Sequence, residues 1–338
     1  MFRWKKNAFA MVLASATLGL PGIAAADLIT GTIYYTTFAG GPNVHKVDIS
    51  YDGLSTVTLS SNANIASTAG ADGILFLIDG NLAIGGQGGS TSAPVHEVTT
   101  GGAAVTSVAA GSPGGAYHLS LAPDGKTLYA AGIPGGIGVM TLSGTGALVA
   151  AGSTLTVSGS DTGVDSLAFV PKVGGGFKTY YTSSTPGGFG SFGTIDLTTG
   201  VTTSLMSSVP AAHGMTYDPF TGDLFLYGDS HVTQIDPGTD SIVSDFLSPI
   251  GALDQGTTDG KGHVFVACNC GDLLFIDMKA SGLVGAGTNF VNHQFLAGAL
   301  DDVAPLVGPG SSPVPEPATL LLVMIGLGGL NSIRRRHA

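Results

Sequence analysis

Tyr117-His118-Leu119-Ser120-Leu121-Ala122-Pro123-Asp124-Gly125 leads through Lys126 into Thr127-Leu128-Tyr129-Ala130-Ala131. Two short runs of β-forming residues flank a Pro-Asp-Gly turn, the pattern of a strand, a tight reversal and a second strand. The same arrangement returns along the chain. Asp165-Ser166-Leu167-Ala168-Phe169-Val170-Pro171 leads into the glycines at 174–176, and His213-Gly214-Met215-Thr216-Tyr217 into Asp218 to Gly222. Asp254-Gln255-Gly256-Thr257-Thr258 leads into Asp259-Gly260, and an earlier copy, Ile65 to Gly70, leads into Asp72-Gly73. From His118 to Asp165, His213, Asp254 and Asp301 the steps are 47, 48, 41 and 47 residues.

Each turn is followed by a strongly β stretch: Ile74 to Ile78, Thr127 to Ala131, Lys178 to Ser183, Leu224 to Tyr227 and His263 to Cys268. Ile33 to Phe38 looks like the same element without its predecessor. A third stretch comes next in every unit, as in His45 to Ile49, Val95 to Thr99, Ile137 to Leu142, Phe192 to Leu197, Val232 to Asp236 and Leu273 to Asp277. Asp196, Asp236 and Asp277 close three of these in an Ile-Asp setting. A weaker fourth stretch ends the unit, for example Val201 to Met206 and Ser241 to Leu247.

Four short strands per unit of 40 to 50 residues is the pattern of a β-propeller blade. Six units are counted. The first lacks its inner strand, and Ala299-Leu300-Asp301-Asp302-Val303-Ala304 supplies a spare one. The expected fold is therefore all-β, a six-bladed β-propeller closed by a C-terminal inner strand that removes free sheet edges. A seven-bladed ring is the alternative. A solenoid would have shorter, more regular coils, and a pair of β-sandwiches would not explain both the period and the spare strand. The body thus resembles β-propeller repeat proteins. His213-Gly214-Met215 and the Asp-Pro turn behind it resemble the repeat of lyase-like and lactonase-like propellers, including the virginiamycin-lyase type. That resemblance implies elimination or hydrolysis with metal help.

Composition narrows the function classes. The chain has 338 residues, 54 of them glycine, with 10% charged residues and a formal net charge of −11. Basic residues in the body are lysines only, at 46, 126, 172, 178, 261 and 279. Such an acidic surface without a basic patch argues against nucleic acid or anionic membrane as a partner. Few charges with many Gly, Ser and Thr suit an extracellular surface of turns and hydroxyls. No phosphate loop, nucleophile elbow, His-Glu-x-x-His or EF-hand motif is present, and Gly85-Gly86-Gln87-Gly88-Gly89 lacks the Lys-Ser/Thr that a phosphate loop needs.

The chemistry-bearing candidates come from the repeat. His118, Asp165, His213, Asp254 and Asp301 fall at equivalent positions where the innermost strand of a blade begins, and Asp302 is adjacent. Three carboxylates and two imidazoles converging on an axis either line a polar channel or form a site. As a site, Asp165, Asp254 and Asp301 would hold Ca or Mg, since hard cations want oxygen, and His118 or His213 would move a proton. Cys268 and Cys270 lie on one face of a strand and can close a small disulfide or stay as thiols. Tyr34, Tyr35, Tyr180, Tyr181 and Phe189 offer a carbohydrate-stacking surface if they face outward; strand alternation puts at least half of them in the core.

The two ends are addresses. Residues 1–26 combine Arg3, Lys5 and Lys6, an apolar stretch from Ala8 to Leu20, and Ala24-Ala25-Ala26 before Asp27, the build of a signal peptide cut by the secretion signal peptidase. A propeller domain is assigned to 27–308 and a sorting tail to 309–338. In the tail, Val314-Pro315-Glu316-Pro317 precedes an apolar run, Ala318 to Ile333, and then Arg334, Arg335 and Arg336. The run reads as a short transmembrane helix whose arginines stay cytoplasmic. This order resembles the tail of PEP-CTERM proteins of Gram-negative bacteria. The resemblance implies recognition by exosortase, a membrane peptidase, and display at the surface or in the matrix, with exopolysaccharide or surface proteins as partners. The tail assigns no chemistry to the body, for which a non-enzymatic binding or structural module is expected, with a metal-assisted lyase or hydrolase at the propeller axis as the alternative.

Overall fold

A computed structural model describes residues 28–304, apart from 39–40, 89, 133–134 and 185–188. β1 (Ile29–Thr37), β2 (Val44–Tyr51) and β3 (Val57–Ala66) form the first blade. β4 (Ile74–Phe76), β5 (Leu82–Gly85), β6 (Pro94–Val98) and β7 (Ala104–Ala109) form the second. β8 (His118–Leu121), β9 (Thr127–Ala131), β10 (Ile137–Thr141) and β11 (Ser153–Leu155) form the third. β12 (Ser158–Gly159) runs ahead to pair in parallel with the outer strand of the fourth blade, which comprises β13 (Ser166–Pro171), β14 (Phe177–Ser184), β15 (Gly190–Asp196) and β16 (Val201–Val209). β17 (Gly214–Tyr217), β18 (Leu224–Gly228), β19 (His231–Asp236) and β20 (Ser241–Leu247) follow as the fifth. β21 (Leu253–Thr258), β22 (His263–Cys268), β23 (Asp272–Asp277) and β24 (Phe290–Phe295) make the sixth. β25 (Leu300–Val303) then returns to the first blade and pairs antiparallel with β1, Tyr35 opposite Val303 and Thr37 opposite Leu300. The protein is a six-bladed β-propeller closed by its last strand.

Burial follows the radius of the ring. The middle strands are covered on both faces because blades stack face to face; every residue of β18 and of β22 is buried. Outer strands such as β16 instead alternate between the interface and solvent. Six separate apolar clusters fill the six junctions between neighbouring blades, each drawing on two blades only. At the closing junction, Leu300 and Val303 of β25 join Ile33 and Tyr35 of β1 and Phe265 and Phe275 of the sixth blade. Each buried side chain of that size contributes roughly 1.5–3 kcal/mol.

The recurring Ile-Asp position is conformational. Asp236 Oδ1 accepts the Gly238 N–H at 2.7 Å, Asp196 Oδ1 the Thr198 N–H at 2.8 Å, and Asp277 Oδ1 the Lys279 N–H at 2.7 Å. These are side-chain-to-backbone turns that end the third strand of a blade. Near the axis, hydroxyls tie neighbouring blades at four of the six junctions. Ser120 Oγ donates to Leu167 O at 2.9 Å, Thr216 Oγ1 to Gly256 O at 2.7 Å, Thr182 Oγ1 to His213 O at 2.8 Å and Thr36 Oγ1 to Asp72 O at 2.6 Å.

Two expectations are corrected. Ile65 to Gly70 is not the inner strand of the second blade: Ile65 and Ala66 end β3, the outer strand of the first. The inner strand is Ile74–Phe76, and its turn is Asp79-Gly80, where Asp79 Oδ1 accepts the Asn81 N–H at 3.0 Å. The transmembrane helix also does not stand. Among the described residues no helix is long and apolar enough to cross a membrane, and the helical turn Lys279–Ser281 is the one helix described. The 16 residues from Ala318 to Ile333 lie outside the described residues, as do residues 1–26, and the run is shorter than the roughly 17 a spanning helix needs.

Candidate functional site

The closure of the ring carries one end of every inner strand to the axis. His118 begins β8, Asp165 and His213 directly precede β13 and β17, Asp254 is the second residue of β21, and Asp301 and Asp302 lie within β25. The second blade adds Asp72, two residues before β4. Sequence reasoning read Asp72 as a turn residue. The signal that would have found it is its spacing, 46 residues ahead of His118.

These seven residues form one cluster with two different halves. On one side, His213 bridges two carboxylates: its Nδ1 lies 2.7 Å from Asp165 Oδ2 and its Nε2 lies 2.6 Å from Asp254 Oδ1. The second contact is an ion pair without hydrogen-bond alignment. Ser184 Oγ donates to Asp165 Oδ2 at 2.5 Å. Burial works against charge on His213, but Asp254 and Asp165 outweigh it and raise its pKa well above the ordinary imidazole value. Burial likewise pushes the Asp165 and Asp254 carboxyls up, and His213 reverses both, holding them below the usual carboxylate range.

The other half is unlike this. His118 Nδ1 lies 3.0 Å from the carbonyl oxygen of Asp165. A carbonyl only accepts, so Nδ1 carries the proton and in the neutral ring the lone pair sits on Nε2. That Nε2 lies 3.6 Å from Asp254 Oδ1 and 3.8 Å from Asp302 Oδ1, beyond hydrogen bonding. His118 Nε2, Asp254 Oδ1, Asp302 Oδ1 and Asp301 Oδ2 are all buried without a hydrogen-bond partner. Asn269 Nδ2 donates to Asp254 Oδ2 at 2.8 Å, and Gln87 Nε2 to Asp72 Oδ2 at 3.1 Å. Burial pushes the Asp301 carboxyl up to about 11, with Asp72 and Asp254 adding to it. Burial and the neighbouring carboxylates also raise Asp72 and Asp302 well above the usual range.

Ligand-type atoms of His118, His213 and Asp254 lie within 4.8 Å of one another, and so do those of Asp72, His118 and Asp302. His118 is common to both groups. Of the five residues expected at the axis, all five arrive there, but in changed roles. Asp165 is occupied by His213 and Ser184, and Asp302 rather than Asp165 faces His118. Only His213 is open to solvent, with its side chain 36% exposed; the Asp254 side chain is 5% exposed and that of Asp302 2%.

The remaining candidates fall elsewhere. Cys268 and Cys270 are joined by a disulfide at the end of β22, and Asn269 between them is the residue that reaches Asp254. Tyr34, Tyr35, Tyr180 and Tyr181 are buried, so they offer no stacking face to a carbohydrate, while Phe189 is exposed. The inner strands also line a cavity of about 340 Å³, bounded by Leu119, Leu121, Phe169, Met215 and Tyr217 among others and by none of the seven cluster residues.

Residues 313–336 match the PEP-CTERM protein-sorting motif. The motif marks the protein for export and for the cell surface or extracellular matrix of a Gram-negative bacterium, and implies processing by an exosortase-type membrane enzyme. No curated protein matches the chain. Among solved structures, a protein of unknown function from Bacteroides caccae is similar at 10% identity and TM-score 0.51, covering 82% of this chain and 99% of that one. A structural genomics protein of unknown function from Bacteroides thetaiotaomicron matches at 13% identity and TM-score 0.50, covering 81% and 85%. A streptogramin B lyase matches at 14% identity and TM-score 0.46, covering 70% and 88%. Likenesses at these identities concern the fold alone.

Proposed function

We propose that the exported propeller, freed of residues 1–26 by signal peptidase and of its tail by exosortase, is a non-enzymatic binding or structural module of the cell surface or matrix. Its partner is a neutral polymer, with exopolysaccharide the first candidate and an uncharged face of a surface protein the second. The carrying observation is the chemistry of the blade edges. The outer strands β3, β7, β11 and β16 contain no Lys, Arg, Asp or Glu. They present Ser60, Ser61 and Asn64 on the first blade, and Thr203, Ser207 and Ser208 on the fourth, to solvent. Hydroxyls and amides of this kind hydrogen-bond to sugars without demanding charge. The acids at the axis, in contrast, lie beneath the surface, where a polymer does not reach them.

Pull-down of isolated exopolysaccharide and of outer-membrane extract, with a glycan array beside it, tests the reading. Saturable retention of a matrix polymer or surface protein is expected. Retention of none counts against it. Release of unsaturated or shortened products from a retained polymer would instead favour a metal-assisted lyase or hydrolase at the axis.

A further inference from the structure

We infer that the axis cluster binds one first-row transition-metal dication, of the manganese, iron(II) or zinc class, through His118 Nε2, Asp302 Oδ1 and the Asp72 carboxylate. The inference goes beyond the binding-module reading and does not depend on it, because the ion ties blades together whatever the blade edges capture.

Three features point to the ion. The first is the set of unpartnered atoms. Buried polar groups are almost always hydrogen-bonded, yet His118 Nε2, Asp301 Oδ2 and Asp302 Oδ1 have no hydrogen-bond partner, and a fourth atom of the cluster, Asp254 Oδ1, has only the unaligned ion pair with His213. They come from the third, sixth and first blades, so no single local distortion accounts for them. The second is spacing. Metal–ligand distances of about 2.0–2.2 Å put neighbouring ligand atoms about 3–3.5 Å apart. His118 Nε2 stands 3.8 Å from Asp302 Oδ1, and the ligand-type atoms of Asp72, His118 and Asp302 all lie within 4.8 Å of one another, separations that side-chain rotations close. The third is the crowding of oxygens. Asp72, Asp254, Asp301 and Asp302 bring four carboxyl groups into one buried space, each able to turn an oxygen to a shared cation.

The donor set selects the class of metal. Calcium and magnesium take oxygen ligands and seldom imidazole, whereas a mixed set of imidazole nitrogen and carboxylate suits zinc, iron and manganese. The backbone contact of His118 Nδ1 with Asp165 is the usual way a protein fixes the tautomer and ring plane of a ligating histidine. Gln87 does the same for the Asp72 carboxylate. Asp254 and Asp301 stand beside the core ligands, and half-exposed His213 marks the side from which the ion enters.

The test uses the full-length protein purified in detergent without chelator. Elemental analysis is expected to show manganese, iron or zinc in near-stoichiometric amount. Chelation lowers the melting temperature by about 5 °C if the ion was held at a hundredfold excess over its dissociation constant. Manganese or zinc restores it; calcium and magnesium at the same concentration do not. Asp302→Asn and His118→Gln each weaken binding by about tenfold or more. Should either variant fail to fold, X-ray absorption at the metal edge of the unaltered protein decides, because imidazole scattering is expected from His118. The inference is overturned if no metal is retained after reconstitution, if only calcium or magnesium is retained, if both variants bind as tightly as the parent, or if the absorption spectrum lacks imidazole.

Discussion

Thr36→Val tests how the ring is closed. β1 and β25 do not pair in a continuous register; it shifts between Tyr35 and Thr37. At that shift the Thr36 hydroxyl takes the place of a ladder carbonyl. It accepts the Asp302 N–H at 3.2 Å and donates to Asp72 O, in the second blade, at 2.6 Å. One fully buried hydroxyl therefore joins the last strand, the first blade and the second. Valine keeps the shape and opens no cavity, so the loss is polar. Leaving the buried Asp302 N–H unpaired costs about 1–3 kcal/mol, and the lost bond to Asp72 about 0.5–1.5 kcal/mol more. A total near 2–4 kcal/mol lowers the melting temperature by about 4–8 °C in a domain of this size. Thr216→Val is the matched control: it removes a single bond, to Gly256 O, and predicts about 1–3 °C. Both variants are scanned in the calorimeter at one rate, so that irreversible unfolding affects them alike. If Thr36→Val melts no lower than Thr216→Val, the hydroxyl is not the tie at the closure and the reasoning fails.

Two further outcomes follow from other parts of the ring. A Cβ on Gly85 would sit 1.9 Å from the Ala116 carbonyl oxygen of the next blade, so Gly85→Ala forces the blades apart and costs about 1–3 kcal/mol or more; a melt within 1 °C of the parent refutes this close approach. Burial raises the phenol pKa of Tyr51, Tyr180 and Tyr181, and the carboxylates of Asp277, Asp240 and Asp161 raise them further. Because the folded-state values lie above the unfolded ones, their contribution is fully present below the ordinary phenol range near pH 10 and is lost progressively as pH rises above it towards the raised folded-state values. Melting temperatures from pH 8 to 11 should fall at the alkaline end, and a flat profile removes these tyrosines from the account.

Five of the six inner strands were legible: four because each is short, β-forming and followed by turn residues, and the fifth, at the C-terminal end, because the first unit lacks an inner strand. The second blade was not, for a local reason. Its inner strand is only three residues, and the ten-residue β3 runs up to it through Asn62 and Asn64, residues that read as turn formers. Asp72-Gly73 then mimics the Asp-Gly turn that follows an inner strand elsewhere. Asp79-Gly80 is the true counterpart of Asp124-Gly125: Asp79 caps Asn81 N at 3.0 Å as Asp124 caps Lys126 N at 2.8 Å. The periodicity also placed the five expected residues at the axis, since it fixes depth along the radius. It does not fix the direction of a side chain. Asp165 turns to His213 and Ser184, while Asp302, one residue past the periodic position, turns to His118.

The aspartates of this chain divide by what surrounds them. Asp196 and Asp236 lie at the rim, accept backbone N–H and hydroxyl donors, and have their carboxyls held below the usual range by those bonds. Such residues make turns and need nothing else. Asp301 and Asp302 occupy the opposite environment. They are buried, they lie beside other carboxylates, and each leaves an oxygen without a donor. Ring closure does not require them, because Leu300 and Val303 of the same strand already seal the junction with the sixth blade. An apolar axis would close the ring at lower cost, since an uncompensated buried charge is worse than a well-packed hydrophobic side chain. Carboxylates contributed there by the first, second, fourth and sixth blades, with a histidine whose free nitrogen faces two of them, are therefore not explained by the fold they sit in. They are explained by a group that the cluster holds, and the nitrogen on His118 is what makes that group a transition metal rather than a simple counter-ion.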